Sequence, residues 1–159
     1  MAETSRRAAR KPAKGGVPNA LFVVASAEQP PAELVARADH LEIVLPWGSL
    51  LRGTLALDAA AAHGIASILR PGGTVTAFVS VTDRDAVDVP PLHEGSCPEI
   101  AARWSAFGVC VDGFRRASAA EVGATGSTWA KRLAADAARS VWRLEIRRPA
   151  EDESVADAI

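Results

Sequence analysis

The stretch from residue 40 to residue 81 constrains the fold more than any other. It opens with a short apolar run, HLEIVL over 40–45, which Pro46 ends. Thr54 then caps a helical stretch reaching about Leu69, with Leu55, Ile65, Ile68 and Leu69 among its apolar positions. Arg70-Pro71-Gly72-Gly73 stops that helix and leads into a second strand-like run over 74–81. Strand, helix and strand in this order suit the crossover of a parallel sheet.

The flanking sequence continues the alternation. Residues 20–25 (ALFVVA) are too short for a helix and read as a buried strand. A short helix is expected over 32–38 and another over 99–107, with strands over 109–116 and 141–146. Ser118 and Glu121 have capping-box spacing, and a helical stretch follows over 130–138. Residues 2–11 read as a basic helix broken by Pro12, Gly15, Gly16 and Pro18. The class is α/β. With 159 residues the prior is one domain, placed over 1–148, followed by an acidic tail over 149–159 expected to be disordered. Ligands of such folds sit beyond the carboxyl ends of the strands. That side would hold Ser26, Ala27 and Glu28, then Pro46, Trp47, Gly48 and Ser49, and the segment 82–85.

Composition narrows the function classes. The chain is 48% hydrophobic and 23% charged with a net charge of −1. No apolar stretch approaches the ~20 residues that span a bilayer, and the basic start leads to no secretory apolar core. Cys97 and Cys110 form neither a disulfide framework nor a paired zinc pattern. These features point to a cytoplasmic, metal-free protein. Neutral overall charge hides an asymmetry. Arg6, Arg7, Arg10, Lys11 and Lys14 cluster early, and Lys131, Arg132, Arg139, Arg143, Arg147 and Arg148 cluster late. Two such clusters fit either a local anionic partner or solvated surfaces.

No nucleophilic constellation is present. His40, His63 and His93 lie far apart, without a nucleophile elbow or a zincin helix beside them. Trp104 falls at helical spacing with Ile100 and Phe107, and Trp142 shares a strand face with Leu144 and Ile146; both read as core. Trp47 and Trp129 differ, because each adjoins a glycine-containing loop and has cations just beyond it: Arg52 in one case, Lys131 and Arg132 in the other. Either indole could stack a nucleobase or simply pack.

Four segments occur in order: RKPAKGGVPN over 10–19, Ala27-Glu28, LPWGSLLRG over 45–53, and STWAKRL over 127–133. Together they resemble the Kam-type 16S ribosomal RNA methyltransferases, which confer aminoglycoside resistance by methylating N1 of a decoding-site adenine. The resemblance spans about residues 1–147, and LPWGSLLRG is its most specific part. It implies the Rossmann-like class I fold of methyltransferases dependent on S-adenosyl-L-methionine (SAM), and small-subunit 16S rRNA as partner of a monomeric enzyme. By the same resemblance, Ala27 and Glu28 meet the cofactor's adenine, and Pro46, Trp47 and Ser49 line the cofactor and target base. Trp47 and Trp129 hold the flipped adenine between them. Ser127 and Thr128 fall in the hydroxyl-bearing segment beside the second indole, Ser127 on the cofactor side. Lys11, Lys14, Arg52, Lys131 and Arg132 dock on RNA phosphates.

The chemistry fits these residue types. N1 of adenine attacks through a ring lone pair, so no general base is required. The product base is cationic, and a cation between two indole faces is stabilised by ~1–2 kcal/mol when desolvated. The family's glycine-rich loop after its first strand and the acid closing its second have no counterpart in this sequence. The expectation is therefore a carboxyl-terminal portion of such an enzyme, lacking the first two strands, with residues 20–25 as the third. A non-catalytic RNA-binding remnant and a related methyltransferase with another substrate are the alternatives.

Overall fold

The computed structural model describes residues 12–17, 19–82, 88–128, 130 and 140–151. Its centre is a four-stranded sheet of β1 (Ala38–Val44), β2 (Leu69–Val79), β3 (Cys110–Arg116) and β4 (Trp142–Arg147), in the order β1-β2-β4-β3. β1 and β2 are parallel, and β4 runs antiparallel to both β2 and β3. Between β1 and β2 lie helices α1 (Gly48–Thr54) and α2 (Ala59–Ile68), which complete the crossover; α3 (Cys97–Ser105) precedes β3 and α4 (Ala119–Ala124) follows it.

The crossover is built from two helices rather than one. Thr54 does not cap a helix; it is fully buried at the end of α1, and its hydroxyl donates to the Leu50 carbonyl at 2.7 Å. Asp58 is the true cap, its carboxylate accepting from the Ala61 amide at 3.1 Å. A cap of this kind contributes roughly 1 kcal/mol. The second strand also begins earlier than the glycine pair suggests. Between the Ala38–Leu69 and His40–Thr74 pairs, β1 advances two residues while β2 advances five, so the Arg70–Gly73 segment is a bulge within the strand. Arg148 fastens that bulge, since its amide donates to the Gly73 carbonyl at 2.9 Å and its guanidinium to the Leu69 carbonyl at 2.7 Å.

The core lies between the sheet and the α1–α2–α3 layer. Trp142, Leu144 and Ile146 alternate inward along β4 with burial to 7% exposure or less, as period-two patterning requires. Trp104 is wholly buried and meets Phe107 edge-on at 5.9 Å, while Trp142 stacks on Phe114 at 5.0 Å. A smaller cluster on the other side of the sheet joins Phe78, Val122, Ala130 and Val141.

One expected strand is absent. Residues 20–26 carry no strand pairing, and Leu21 and Val24 are more than 80% exposed. A strand is stable only with a ladder partner, and among the described residues the outer edge of β1 is unpaired. The expected helix over 32–38 is a single 3-10 turn, Ala32–Leu34, because β1 already begins at Ala38. The basic segment 2–11, all of the 130–138 stretch except Ala130, and most of the acidic tail lie outside the described residues.

Candidate functional site

The carboxyl end of β1 turns sharply into α1. Leu45 adopts φ 49° and its amide donates to the Phe78 carbonyl at 2.8 Å; Gly48, three residues on, has φ +60°. Two left-handed residues around Pro46-Trp47 reverse the chain, and glycine takes that geometry without the Cβ clash. Pro46 is buried by the turn, whereas Trp47 is 71% exposed. A core tryptophan would not be left so open; this one is held out by its backbone.

Ser49 stands in the first turn of α1, opposite the segment that carries Ala27 and Glu28. The Ser49 hydroxyl faces the Glu28 carboxylate across the cavity and is the main reason that carboxyl sits below its ordinary range. Glu28's own amide and the Ser26 hydroxyl add to the effect, while partial desolvation opposes it. Ala27, Glu28 and Ser49 line one cavity of about 520 Å³, with Ile43, Leu50, Ile65 and Ile68 among the apolar residues around them. An apolar cleft with a few converging polar groups suits a flat, hydrogen-bonding heterocycle.

Arg52 follows on α1 and is half-engaged: it donates to the Asp88 carbonyl at 3.2 Å and stands 3.9 Å from the Asp88 carboxylate. Lys14 is exposed at the end of the 3-10 turn Pro12–Lys14. Ser127 does not join the cavity. Its hydroxyl accepts from the Ala130 amide at 3.2 Å, so it caps the turn that follows, and Thr128 is exposed. Trp129, Lys131, Arg132 and Lys11 lie outside the described residues.

Ala130 is fully buried in the smaller cluster, and Val44 and Leu45, which lead into the Trp47 turn, pack against the same cluster. Composition did not single out the polar network beneath it. Glu121 accepts from the Ser118 amide and hydroxyl at 2.9 Å, from Arg115, and from Arg143 at 2.7 Å. These partners hold the Glu121 carboxyl far below its usual range, Arg115 contributing most, and raise the Arg115 guanidinium in turn. The capping-box spacing identified Glu121 as a helix residue; its two arginines come from neighbouring strands and leave no local signal. No group of three or more metal-ligating side chains occurs among the described residues, and no helix among them is long and apolar enough to cross a membrane.

The family model described as NpmA: 16S rRNA (adenine(1408)-N(1))-methyltransferase matches residues 1–147. The chain belongs to this family. An rRNA methyltransferase of Saccharopolyspora hirsuta is 37% identical over 142 residues, covering 84% of this chain and 88% of the relative. The 16S rRNA (adenine(1408)-N(1))-methyltransferase of Streptoalloteichus hindustanus is 35% identical over 142 residues, 84% of this chain but 64% of the relative. Among solved structures, the 16S rRNA methyltransferase KamB superposes with a TM-score of 0.83 at 31% identity, covering 94% of this chain and 72% of that one. A tryptophan-to-alanine mutant of the Catenulisporales acidiphilia 16S rRNA (adenine(1408)-N(1))-methyltransferase, solved with cosubstrate SAM, gives 0.82 at 30% identity, with 95% and 71% covered. The chain shares the fold of these methyltransferases, in line with the expected Rossmann-like class I architecture. The chain spans about two thirds of the length of the Streptoalloteichus relative.

The residues present fit one end of a SAM molecule. The Glu28–Ser49 pair and the apolar floor suit a purine.

Proposed function

We propose that this chain acts in SAM-dependent methyl transfer to N1 of adenine 1408 in 16S rRNA, in the cytoplasm, with aminoglycoside resistance as the consequence. The observation that carries the reading is the 71% exposure of Trp47, two residues before Ser49, which lines the cavity with Glu28. A bulky indole presented to solvent at the carboxyl end of a strand, beside a purine-sized cleft, is placed for stacking a base.

When bound, SAM supplies an electrophilic methyl group. Ser26, Ala27 and Glu28 hold its adenine, and Pro46 and Ser49 shape the cleft between adenine and target base, with Ser127 on the far side. The flipped base lies between Trp47 and Trp129. Packing of Val44, Leu45 and Ala130 on one cluster supports this pairing, since it draws the segments next to both tryptophans toward the same small core. With SAM bound, the N1 lone pair would take the methyl carbon as its bond to sulfur breaks and the neutral thioether leaves, and the indole faces would stabilise the positive charge passed to the base. No proton is removed at N1, so the site needs no base. Lys11, Lys14, Arg52, Lys131 and Arg132 supply phosphate contacts, which offset the few kcal/mol of base extraction. The enzyme works as a monomer.

A second reading, an RNA-binding protein without catalysis, is favoured by the exposed Trp47 and Lys14, which can meet RNA without a cofactor. The test is calorimetric titration with SAM of the 159-residue chain and of a form extended by in-frame upstream sequence. Methylation of small subunits, mapped to the nucleotide, follows with whichever form binds. SAM binding by the extended form and methylation at N1 of adenine 1408 support the proposal. If neither form binds SAM while both bind the small subunit, the second reading replaces it.

A further inference from the structure

Gly64 lies in the interior of α2, within the run AAAAHGIASI. In an alanine-rich helix a glycine is destabilising relative to alanine, so its place calls for a reason. The reason is steric. A Cβ built on Gly64 would overlap the carbonyl oxygen of Ala27 and lie 2.9 Å from its carbonyl carbon and 3.2 Å from Pro30 Cδ. The segment from Ser26 to Pro30 is thus seated directly on the helix, and only a missing side chain lets it approach so closely. Both partners line the same cavity: Ser26, Ala27, Glu28 and Pro30 form one wall, and Gly64, Ile65 and Ile68 lie along the helix that floors it. Ser49 lines the same cavity and faces Glu28.

From this geometry we infer that Gly64 is a positioning residue that sets the width of the cleft and the placement of Glu28 against Ser49. The inference rests on the assignment of this cleft to the adenine of SAM. Any side chain at 64 must push the Ala27 carbonyl outward, because the obstruction is backbone and cannot rotate away. Glu28 is the next residue and moves with it. The effect is confined to cofactor binding, since Trp47 and Arg52 are carried by a different helix and turn.

The test compares Gly64→Ala with Gly123→Ala, a helical glycine in α4 whose added Cβ meets nothing within 4 Å. The first readout needs no ligand. In the 159-residue chain the Glu28 carboxyl, followed by carbon-13 NMR titration, moves back toward the ordinary carboxylate range in Gly64→Ala and stays low in Gly123→Ala. The second is calorimetry with SAM on whichever form of the chain binds it. Gly64→Ala weakens binding about 10-fold or more, with small-subunit affinity unchanged, and Gly123→Ala alters neither. Should Gly64→Ala fail to fold, Pro30→Ala loosens the same wall from the other side without crowding the helix, and shifts both readouts in the same direction. An unshifted Glu28 titration, or unaltered SAM affinity beside a displaced Glu28, overturns the inference. A displaced Glu28 in a protein that never binds SAM overturns the functional reading of the cleft instead.

Discussion

The indole nitrogen of Trp104 donates to the backbone carbonyl of Thr54 at 3.1 Å, with both residues fully buried. This bond joins α3 to the end of α1, the helix that begins immediately after Trp47. Beside it, the Arg103 guanidinium donates to the Leu55 carbonyl at 3.1 Å. Adjacent residues of one helix therefore satisfy the two carbonyls that α1 leaves open at its end.

Replacing Trp104 with alanine should cost roughly 3–5 kcal/mol, from the cavity and the unpaired Thr54 carbonyl together. Chemical denaturation should show the midpoint falling at unchanged slope. A loss under 1 kcal/mol would mean that the α3–α1 contact is not part of the core.

Trp47→Ala should behave in the opposite way. The side chain is 71% exposed, so folding stability should change by no more than ~0.5 kcal/mol. Methylation of the small subunit should nevertheless be lost, while SAM affinity is retained. Thermal melts run beside a methyl-transfer assay separate the two effects, and a large drop in melting temperature would place this indole in the core.

Glu121 gives the protein an acid-sensitive component. Its carboxyl is held below the ordinary range in the folded state by Arg115, Ser118 and Arg143. The stabilisation is therefore fully present above the unfolded carboxyl value of ~4.3 and fades as pH falls from there toward the folded value. Urea midpoints measured from pH 7 down to pH 3 should decline, and Glu121→Gln should flatten that decline. An equal slope in the variant would assign the acid sensitivity to other carboxylates.

Leu21→Ser with Val24→Ser should leave stability within ~0.5 kcal/mol, because these side chains are 86% and 83% exposed. The same pair should reduce binding of a hydrophobic dye and slow concentration-dependent aggregation, as the exposed apolar stretch is diluted. Dye fluorescence and light scattering check both, and a substantially lower melting point would mean the stretch is packed.

The parallel crossover was legible in the residues because apolar runs, Pro46 and the glycine pair punctuate it locally. The break between α1 and α2 was not. Leu57 and Asp58 look like ordinary helix positions, and only the Asp58 cap and the left-handed Ala56 (φ 52°) stop and restart the helix. Residues 20–25 misled for another reason. ALFVVA has every local property of a buried strand, but a strand is a pairwise structure and among the described residues none pairs with the outer edge of β1. At the site, the resemblance named Glu28 and Ser49 as separate contacts. Their meeting in one cavity, and the reason for a glycine at 64, depend on segments distant in sequence coming together in space. The turn that exposes Trp47 could be guessed from Pro-Trp-Gly, since that tripeptide can hardly continue either element.

β4 is paired on both of its edges, to β2 and to β3, although it comes after both in the chain. Val75 meets Ile146 and Val111 meets Ile146, so the middle of the sheet stays open until residues 142–147 have left the ribosome's exit tunnel. The nascent chain can assemble the β1–β2 crossover while translation continues, but β3 has no neighbour to wait beside. Contacts this distant make for slow closure. The last strand made is thus the one that locks the sheet.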